Sequence, residues 1–186
     1  MITLGIDPGT LFTGYGLVEK SGNAFRAVDY GVIATNAKDE MPKRLKQIYD
    51  ALACVIEKYR PAKVSLETAF FGKNVQSALK LGQVRGVVMV LAMNYQLPIS
   101  EHAPREVKKA VTGNGNAAKE QVEFMVKNLL SIQGAKARSD AFDALAIALS
   151  DALVSTSVPN QSSLSPTKVT TWQAFIQTHP HRIISP

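Results

Sequence analysis

Four acidic residues in this chain lie where predicted strands or helices meet loops. Asp7 follows a short apolar run and precedes a Pro-Gly turn, and Glu67 closes a second short apolar run. Asp140 and Asp143 open an Ala/Leu-rich helical pattern, where a spacing of three places both on one helical face. Brought together, such carboxylates would hold a hard cation such as Mg²⁺, which takes oxygen ligands and keeps waters and substrate phosphates in its shell. The pattern therefore predicts metal-assisted cleavage of a phosphodiester.

Each of these features is weak evidence alone. The chain has seven Asp among 186 residues, so an Asp-x-x-Asp pair arises easily by chance, and helix starts commonly carry acids. A strand that runs into Asp7 and a glycine turn also resembles the phosphate-binding loop of the actin and sugar-kinase ATPases. Those enzymes need two lobes and a second glycine loop, whereas 186 residues suit one domain with a full-sized core. The length argues against an ATPase.

The overall composition is ordinary for a globular protein, since 46% of the residues are hydrophobic and 19% are charged. No apolar segment reaches the ~18 residues of a membrane span, and the N-terminus lacks a basic region followed by an apolar one. These features predict a cytoplasmic protein. The single cysteine, Cys54, cannot form an internal disulfide and is predicted to be a small core residue rather than a nucleophile.

Positive charge is concentrated in one part of the chain. The net charge is +6 with a pI near 9.5, which alone is only a weak indication of a polyanionic partner. Residues 103–138 carry three acidic residues against seven basic ones, namely Arg105, Lys108, Lys109, Lys119, Lys127, Lys136 and Arg138. This local bias predicts a phosphate-binding face beside the acidic residues. Ordinary solvated helix faces remain the alternative.

The periodicity of the chain predicts an α/β protein with a mixed sheet. Three glycine-punctuated strands come first, as antiparallel hairpins require, and helices and strands then alternate. Asn116 and Ser139 are the predicted N-caps of the last two helices. The predicted elements are strands 2–6, 13–19 and 25–35, helix 45–59, strand 64–66, helix 75–95, strand 98–100, helical segments around the loop 113–116, and a helix that runs to about residue 153.

The last 32 residues differ in composition from the rest of the chain. Residues 155–186 contain four Pro and eleven Ser or Thr, and Trp172, Phe175 and Ile176 form their strongest apolar cluster. We predict a poorly ordered tail with at most a short docking segment. His179 and His181 lie here without a third ligand, so we predict no metal role for them.

Six motifs along the chain form a specific combination. They are Gly5-Ile6-Asp7-Pro8-Gly9-Thr10, Thr13-Gly14-Tyr15-Gly16, Glu67 with Phe70 close behind, Lys73-Asn74, the run from Ser77 to Gly86, and Asp140-Ala141-Phe142-Asp143-Ala144-Leu145-Ala146. In this order they resemble the RuvC family of Holliday-junction resolvases. The resemblance covers about residues 1–154, and we do not expect it to extend to the tail.

The resemblance implies a ribonuclease H-like α/β fold, with a mixed five-stranded sheet flanked by helices, as a nuclease domain over residues 1–154. It implies a homodimer that nicks two opposed strands of a four-way DNA junction during recombination and repair. A branch-migration helicase complex is implied as a further partner. Two other classes remain open: a ribonuclease H-like nuclease acting on RNA or simple duplexes, and a non-catalytic junction-binding protein, which the intact acidic quartet disfavours.

Asp7, Glu67, Asp140 and Asp143 match the four catalytic, metal-binding carboxylates of that family without substitution. The resemblance implies two Mg²⁺ ions per active site, with Mn²⁺ as an alternative, that clamp the attacking water and the leaving oxygen. Asp7 is the best candidate to bridge both ions. Four carboxylates packed together repel one another, so we expect raised pKa values in the metal-free site.

Further residues match positions that lie near DNA in the family. Lys108 and Lys119 would position the scissile phosphate or stabilise the transition state, with a purely electrostatic DNA-holding role as the alternative. Lys73 is a further predicted DNA contact. Phe70 follows Glu67 by three residues and is predicted to stack on an unpaired base at the junction.

Gly82 and Gly86 lie four residues apart on the predicted long helix, so another backbone can approach that face closely. The resemblance implies a dimer interface there. Packing of this helix against its own sheet is the alternative.

Overall fold

The computed structural model describes residues 1–68, 75–134 and 137–154. The strands are β1 (Ile2–Asp7), β2 (Phe12–Ser21), β3 (Ala24–Ala34), β4 (Lys63–Glu67) and β5 (Ile99–His102). The helices are α1 (Met41–Tyr59), α2 (Val75–Asn94), α3 (Pro104–Thr112), α4 (Lys119–Leu129) and α5 (Ser139–Val154).

The five strands form one mixed sheet in the order β3-β2-β1-β4-β5. β1, β2 and β3 pair antiparallel, whereas β4 pairs parallel with both β1 and β5. One apolar core joins the sheet to α1 and α2, and the other joins it to α3, α4 and α5. The prediction of a mixed five-stranded sheet flanked by helices is confirmed.

Strand alternation decides which residues face each layer of helices. In β1, Leu4 and Ile6 are fully buried in the core formed with α1 and α2. Gly5, between them, faces the other way, and a Cβ there would lie 2.2 Å from the carbonyl oxygen of Ala144 in α5. Because side chains alternate with a period of two, Asp7 shares the α5 face with Gly5.

The same alternation holds in β4. Val64 and Leu66 enter the core with α1 and α2, while Ser65 faces α5 and its hydroxyl donates to the carbonyl oxygen of Ile147 at 3.4 Å. Glu67, two residues further on, lies on the α5 side. The two neighbouring strands therefore end with carboxylates on one face.

Glycines in β2 serve close packing and do not mark turns. A Cβ at Gly14 would lie 2.0 Å from the carbonyl oxygen of Asp140, and a Cβ at Gly16 would lie 2.8 Å from Leu145. The sequence pattern predicts that five glycines, among them Gly22 and Gly31, punctuate the hairpins. That interpretation is wrong for Gly14, Gly16 and Gly31, which lie within strands, and it is confirmed for Gly22, which lies in the turn between β2 and β3. The absent side chains of Gly14 and Gly16 let α5 approach the sheet.

Two predicted helix caps differ from the structure. The N-cap of α4 is Ala118 and not Asn116. The backbone N–H of Asn116 donates to Oδ1 of Asn114 in the turn before the helix, and Ala117 is buried. Ser139 is the first residue of α5 and does not precede it.

Cys54 is exposed, so its prediction as a core residue is wrong. α1 buries Ile48, Leu52 and Ile56, and Cys54 is two positions from Leu52, which turns it away from that face.

In the part of the chain that the structure describes, no helix combines the length and apolarity that a membrane span requires.

Candidate active site

Asp7 and Glu67 end adjacent parallel strands. The register pairs Ile6 of β1 with Leu66 of β4, so the next residue of each strand carries a carboxylate. Since the carboxyl ends of parallel strands meet at the same edge of a sheet, the two acids lie side by side. Strand pairing alone brings together residues that are 60 positions apart in sequence.

The start of α5 meets this edge because of Gly14. Gly14 is the pairing partner of Asp7 on β2, and its missing side chain leaves room for the backbone of Asp140. Asp143 follows one helical turn later. The first turn of α5 is thereby held beside the ends of β1 and β4.

A cleft of about 210 Å³ opens at this point. Its lining comprises Asp7, Glu67, Pro104, Val107, Lys108, Lys119, Val122, Asp143, Ala146 and Ile147. Three of the four predicted carboxylates and both predicted lysines therefore share one cleft. Asp140 is not part of this lining, and its carboxylate accepts a hydrogen bond from Nε of Arg138 at 3.3 Å.

Asp7 is the most strongly perturbed of these acids. Burial, followed by the negative charges of Asp143, Glu67 and Asp140, raises the pKa of Asp7 from 3.8 to about 7, against the opposing charge of Lys119. Each carboxylate named is close enough to act on Asp7, including Asp140 outside the cleft. The expected raised pKa values of a crowded acidic site are present here.

Glu67 and Asp143 are shifted in the same direction. Burial and then the charge of Asp143 raise the pKa of Glu67, while the charges of Lys108, Arg85 and Lys119 act to lower it. Burial also raises the pKa of Asp143, although its hydrogen bond from Lys119 opposes this shift. Burial and mutual repulsion thus outweigh the attraction of the nearby cations.

The two lysines are held differently. Nζ of Lys119 contacts Oδ2 of Asp143 at 2.5 Å. Burial acts to lower the pKa of Lys119, but this hydrogen bond and the charges of Asp143, Asp7 and Asp140 raise it overall. Nζ of Lys108 instead donates to the backbone carbonyl of Ala117 at 2.8 Å.

In the described ranges 1–68, 75–134 and 137–154, no three His, Cys, Asp or Glu side chains form a group that could hold one ion. Two of the acids have cationic partners instead, since Asp143 contacts Lys119 and Asp140 contacts Arg138. The donor chemistry nevertheless fits a hard divalent cation, since buried carboxylates that repel one another are stabilised by a bound positive charge.

The basic segment divides into two groups. Lys108 and Lys119 line the cleft, as a phosphate-binding face requires. Lys127 instead forms a local ion pair with Glu123 at 2.6 Å, which matches the alternative of a solvated helix face. The charge bias of the sequence therefore predicted that basic residues of this segment lie beside the acids, but it did not distinguish Lys108 and Lys119 from Lys127.

Sequence reasoning placed Arg138 in the basic segment without naming its partner, and it missed Arg85. Arg138 contacts Asp140, and its guanidinium lies 3.6 Å from the centre of the Phe12 ring. Arg85 donates a hydrogen bond to the backbone carbonyl of Glu67. Arg138 stands two positions before Asp140, which is a usable signal, whereas no local spacing relates Arg85 to Glu67.

Gly82 and Gly86 lie on the exposed face of α2, where a Cβ at either position would meet no described residue within 4 Å. The helix does pack against its own sheet, as the alternative expected, but through Val84, Val88 and Leu91 and not through the two glycines. Phe70 and Lys73, the other two predicted DNA-contacting residues, lie outside the described residues.

Comparison with known proteins identifies close relatives. The family model for crossover junction endodeoxyribonuclease RuvC matches residues 3–151. A curated protein with that name from Chloroherpeton thalassium is 51% identical over 185 residues, covering 99% of this chain and 100% of the relative. Another from Chlorobium phaeovibrioides is 53% identical over 154 residues, covering 82% of each chain.

A solved structure agrees with these relatives. T. thermophilus RuvC in complex with Holliday junction substrate matches with a TM-score of 0.79 and 35% identity, over 83% of this chain and 94% of that one. The family model ends at residue 151, but the Chloroherpeton thalassium match covers 185 residues. The expectation that the resemblance stops before the tail is therefore wrong for that relative.

Proposed function

This chain belongs to the RuvC family of crossover junction endodeoxyribonucleases, and from this membership we propose that it resolves four-way DNA junctions by paired, symmetric nicks during recombination and repair. The observation that carries the proposal is the cleft at the ends of β1 and β4, which joins Asp7, Glu67 and Asp143 to Lys108 and Lys119. Carboxylates and lysines together suit a phosphodiester, because metal ions and ammonium groups both counter its negative charge.

The family is one of metal-dependent nucleases, and we assign Asp7, Glu67, Asp140 and Asp143 as the residues that would hold the metal. We propose Mg²⁺, with Mn²⁺ as an alternative, and two ions per site. When bound, the ions supply a hydroxide-like nucleophile and stabilise the charge on the leaving oxygen. The high pKa of Asp7 favours this assignment, since a protonated or repelled carboxylate gains most from a cation.

Lys119 holds Asp143 in the metal-free arrangement, and Arg138 holds Asp140. Each contact involves one carboxylate oxygen, so the other oxygen of each acid could ligate a metal. The ammonium of Lys119 also lines the cleft, where it could meet a substrate phosphate oxygen. Lys108 is anchored to the backbone of Ala117 and would supply a second positive charge at the cleft.

Phe70 and Lys73 complete the proposed DNA contacts. Both are assigned from the family resemblance alone. Phe70 would stack on an unpaired base, worth ~1–3 kcal/mol, and Lys73 would contact a phosphate. A Phe70→Ala protein should cut an intact junction poorly and recover on a junction with unpaired bases at its centre.

We propose a homodimer that associates through the exposed face of α2. This face contains Val75, Leu79, Gly82, Gly86, Val90 and Met93, spaced by four, three, four, four and three residues. The four larger side chains are 58% to 70% exposed, although they are apolar. The two glycines let a second helix approach closely, and two-fold symmetry would match that of a four-way junction.

Two further assignments follow from the junction as substrate. We propose that the protein acts in the cytoplasm, where the bacteria of the curated relatives keep their DNA. A branch-migration helicase complex is the proposed partner, because it would move the junction to a site that the nuclease can cut.

A substrate panel tests the function. The wild-type protein would be assayed with and without Mg²⁺ on a mobile four-way junction, a linear duplex and an RNA–DNA hybrid of equal length. We expect paired nicks in the junction alone, and only with the metal. Faster cutting of the hybrid or duplex would indicate a different ribonuclease H-like nuclease, and junction binding without any nicking would indicate a binding protein.

A further inference from the structure

Arg85 of α2 joins three elements at the edge of the cleft. Its side chain is only 12% exposed. One guanidinium nitrogen donates to the backbone carbonyl oxygen of Glu67, and another donates to Oε1 of Glu101 at 2.6 Å. Because Glu67 is the last residue of β4 and Glu101 lies in β5, one side chain connects α2 to two neighbouring strands.

The end of β4 is thereby held from two directions. Beyond Glu67, the backbone N–H of Thr68 donates to the carbonyl oxygen of His102 at 2.9 Å, which fixes the chain to β5. Arg85 fixes the preceding carbonyl from the side of α2. Both hydrogen bonds involve the peptide group between Glu67 and Thr68, one at its carbonyl and one at its N–H. Because this planar group is held at both ends, it has little freedom to rotate, and the direction of the Glu67 side chain is set.

Arg85 also lies next to the acids without pairing with their carboxylates. A second cavity, of about 220 Å³, is lined by Asp7, Pro8, Glu67, Thr68, Leu81, Arg85 and Pro104. Asp7, Glu67 and Pro104 line both this cavity and the cleft that contains the lysines. The guanidinium bonds the backbone of Glu67 and not its carboxylate, so the carboxylate is left for another partner.

The two contacts require an arginine. Its planar guanidinium presents five N–H donors in a fixed fork and can serve a carbonyl and a carboxylate at once. A lysine at position 85 would keep the charge but would place a single ammonium group, which is not shaped to bridge two acceptors held by different strands.

We propose that Arg85 is a positioning residue that orients the Glu67 carboxylate for divalent cations. The inference rests on the proposed function, because it takes Glu67 as a metal ligand. Groups that orient ligands from outside typically change metal affinity or activity by about 10- to 100-fold when they are lost. Loss of Arg85 should therefore weaken metal binding while junction binding and dimer formation are preserved.

The test compares Arg85→Gln with the wild type and with Arg26→Gln. Arg26 is a matched control, because it also pairs with a glutamate, Glu19, but is 71% exposed on the far hairpin. Calorimetric titration with Mn²⁺ in the absence of DNA measures metal affinity directly. Junction affinity in EDTA and the Mg²⁺ dependence of nicking are measured on the same proteins.

For Arg85→Gln we expect Mn²⁺ affinity about tenfold weaker, a matching rise in the Mg²⁺ concentration that gives half-maximal nicking, and junction affinity within about twofold of wild type. The Mn²⁺ affinity of Arg85→Lys should lie between those of Arg85→Gln and the wild type, and that of Arg26→Gln should match the wild type. Unchanged Mn²⁺ affinity in Arg85→Gln would overturn the proposal, as would a loss of junction affinity in EDTA with normal metal binding.

Two further outcomes are distinguishable. If Arg85→Gln does not fold, Glu101→Ala replaces it, because the Glu101 side chain is 39% exposed and its loss should not prevent folding. A loss of Mn²⁺ affinity of about threefold or more in Glu101→Ala supports the role of Arg85. Unchanged Mn²⁺ affinity in Glu101→Ala overturns the proposal. A wild-type protein that neither binds Mn²⁺ nor nicks a junction would contradict the proposed function itself. An active wild type with an equally active Arg85→Gln contradicts only this inference.

Discussion

At the scale of single residues, Asp7 is the group whose protonation is most sensitive to the site. In the metal-free folded protein its pKa is about 7, compared with 3.8 for an ordinary Asp. Between these pH values the folded state binds a proton that the unfolded state has released. Stability therefore falls as the pH rises through this window, because the folded state must give up that proton.

Asp7→Asn should remove this pH dependence. In EDTA we expect the variant to match the wild type near pH 4 and to exceed its melting temperature at pH 8 by at least about 2 °C. Asp50→Asn is the control, since Asp50 is 55% exposed on α1 and pairs with Lys46, and it should follow the wild type. Thermal unfolding followed by circular dichroism measures the effect. An Asp7→Asn protein no more stable than the wild type at pH 8 would contradict the repulsion inferred for this site.

The sequence predicted the acids better than their partners. Asp7 and Glu67 could be placed because each ends an apolar run, and the chemistry of a strand end is visible locally. The Lys119–Asp143 pair and the contact from Arg85 to Glu67 join residues on different elements. Such contacts depend on how helices pack, which no spacing within one element encodes.

At the scale of elements, the approach of α5 to the sheet controls the geometry of the site. Its alanines and the glycines of β1 and β2 bring backbone against backbone. Gly14 and Gly16 were visible in the sequence but were assigned to turns, because a turn and a close approach both select glycine. Distinguishing the two requires the position of α5.

Gly14→Ala should disturb this contact. A Cβ there would lie 2.0 Å from the carbonyl oxygen of Asp140, so α5 must shift or the strand must bend. We expect a loss of about 1–3 kcal/mol in the free energy of unfolding, together with reduced nicking. Gln47→Ala is the control: Gln47 is exposed on α1, so its loss should change the free energy of unfolding by no more than about 0.5 kcal/mol.

Urea denaturation of Gly14→Ala and Gln47→Ala makes this comparison. Equal stability of the two variants would show that the proximity of Gly14 to α5 has no energetic consequence.

The other end of α5 is fixed independently, because the buried Asp151 contacts Lys63 of β4 and His102 of β5. A local shift near Asp140 should therefore leave the fold intact.

At the scale of the whole molecule, the apolar face of α2 accounts for the proposed dimer. Leu79→Glu would place a charge on a side chain that is 65% exposed in the protomer. It should leave the protomer folded but produce a species near 20.1 kDa instead of twice that mass. Phe124→Glu is a matched control, because Phe124 is 63% exposed on α4, away from α2.

Sedimentation equilibrium of the two variants and the wild type decides the interface. We expect dimers for the wild type and Phe124→Glu, and monomers for Leu79→Glu. A dimer that persists in Leu79→Glu would place the interface elsewhere. A wild-type monomer, even with junction bound, would contradict two active sites acting on one symmetric substrate.

The most direct test of the proposed function is the nicking of a mobile four-way junction by wild-type protein and by Asp7→Asn, with junction affinity measured in parallel. The substitution keeps the size of the side chain but removes a charge needed for metal binding, while the lysines that attract DNA remain. We predict Mg²⁺-dependent paired nicks by the wild type, no detectable nicking by Asp7→Asn, and junction affinity for both that weakens steeply as salt rises. An Asp7→Asn protein that nicks at a normal rate would contradict the assignment of the carboxylates as the metal-binding active site.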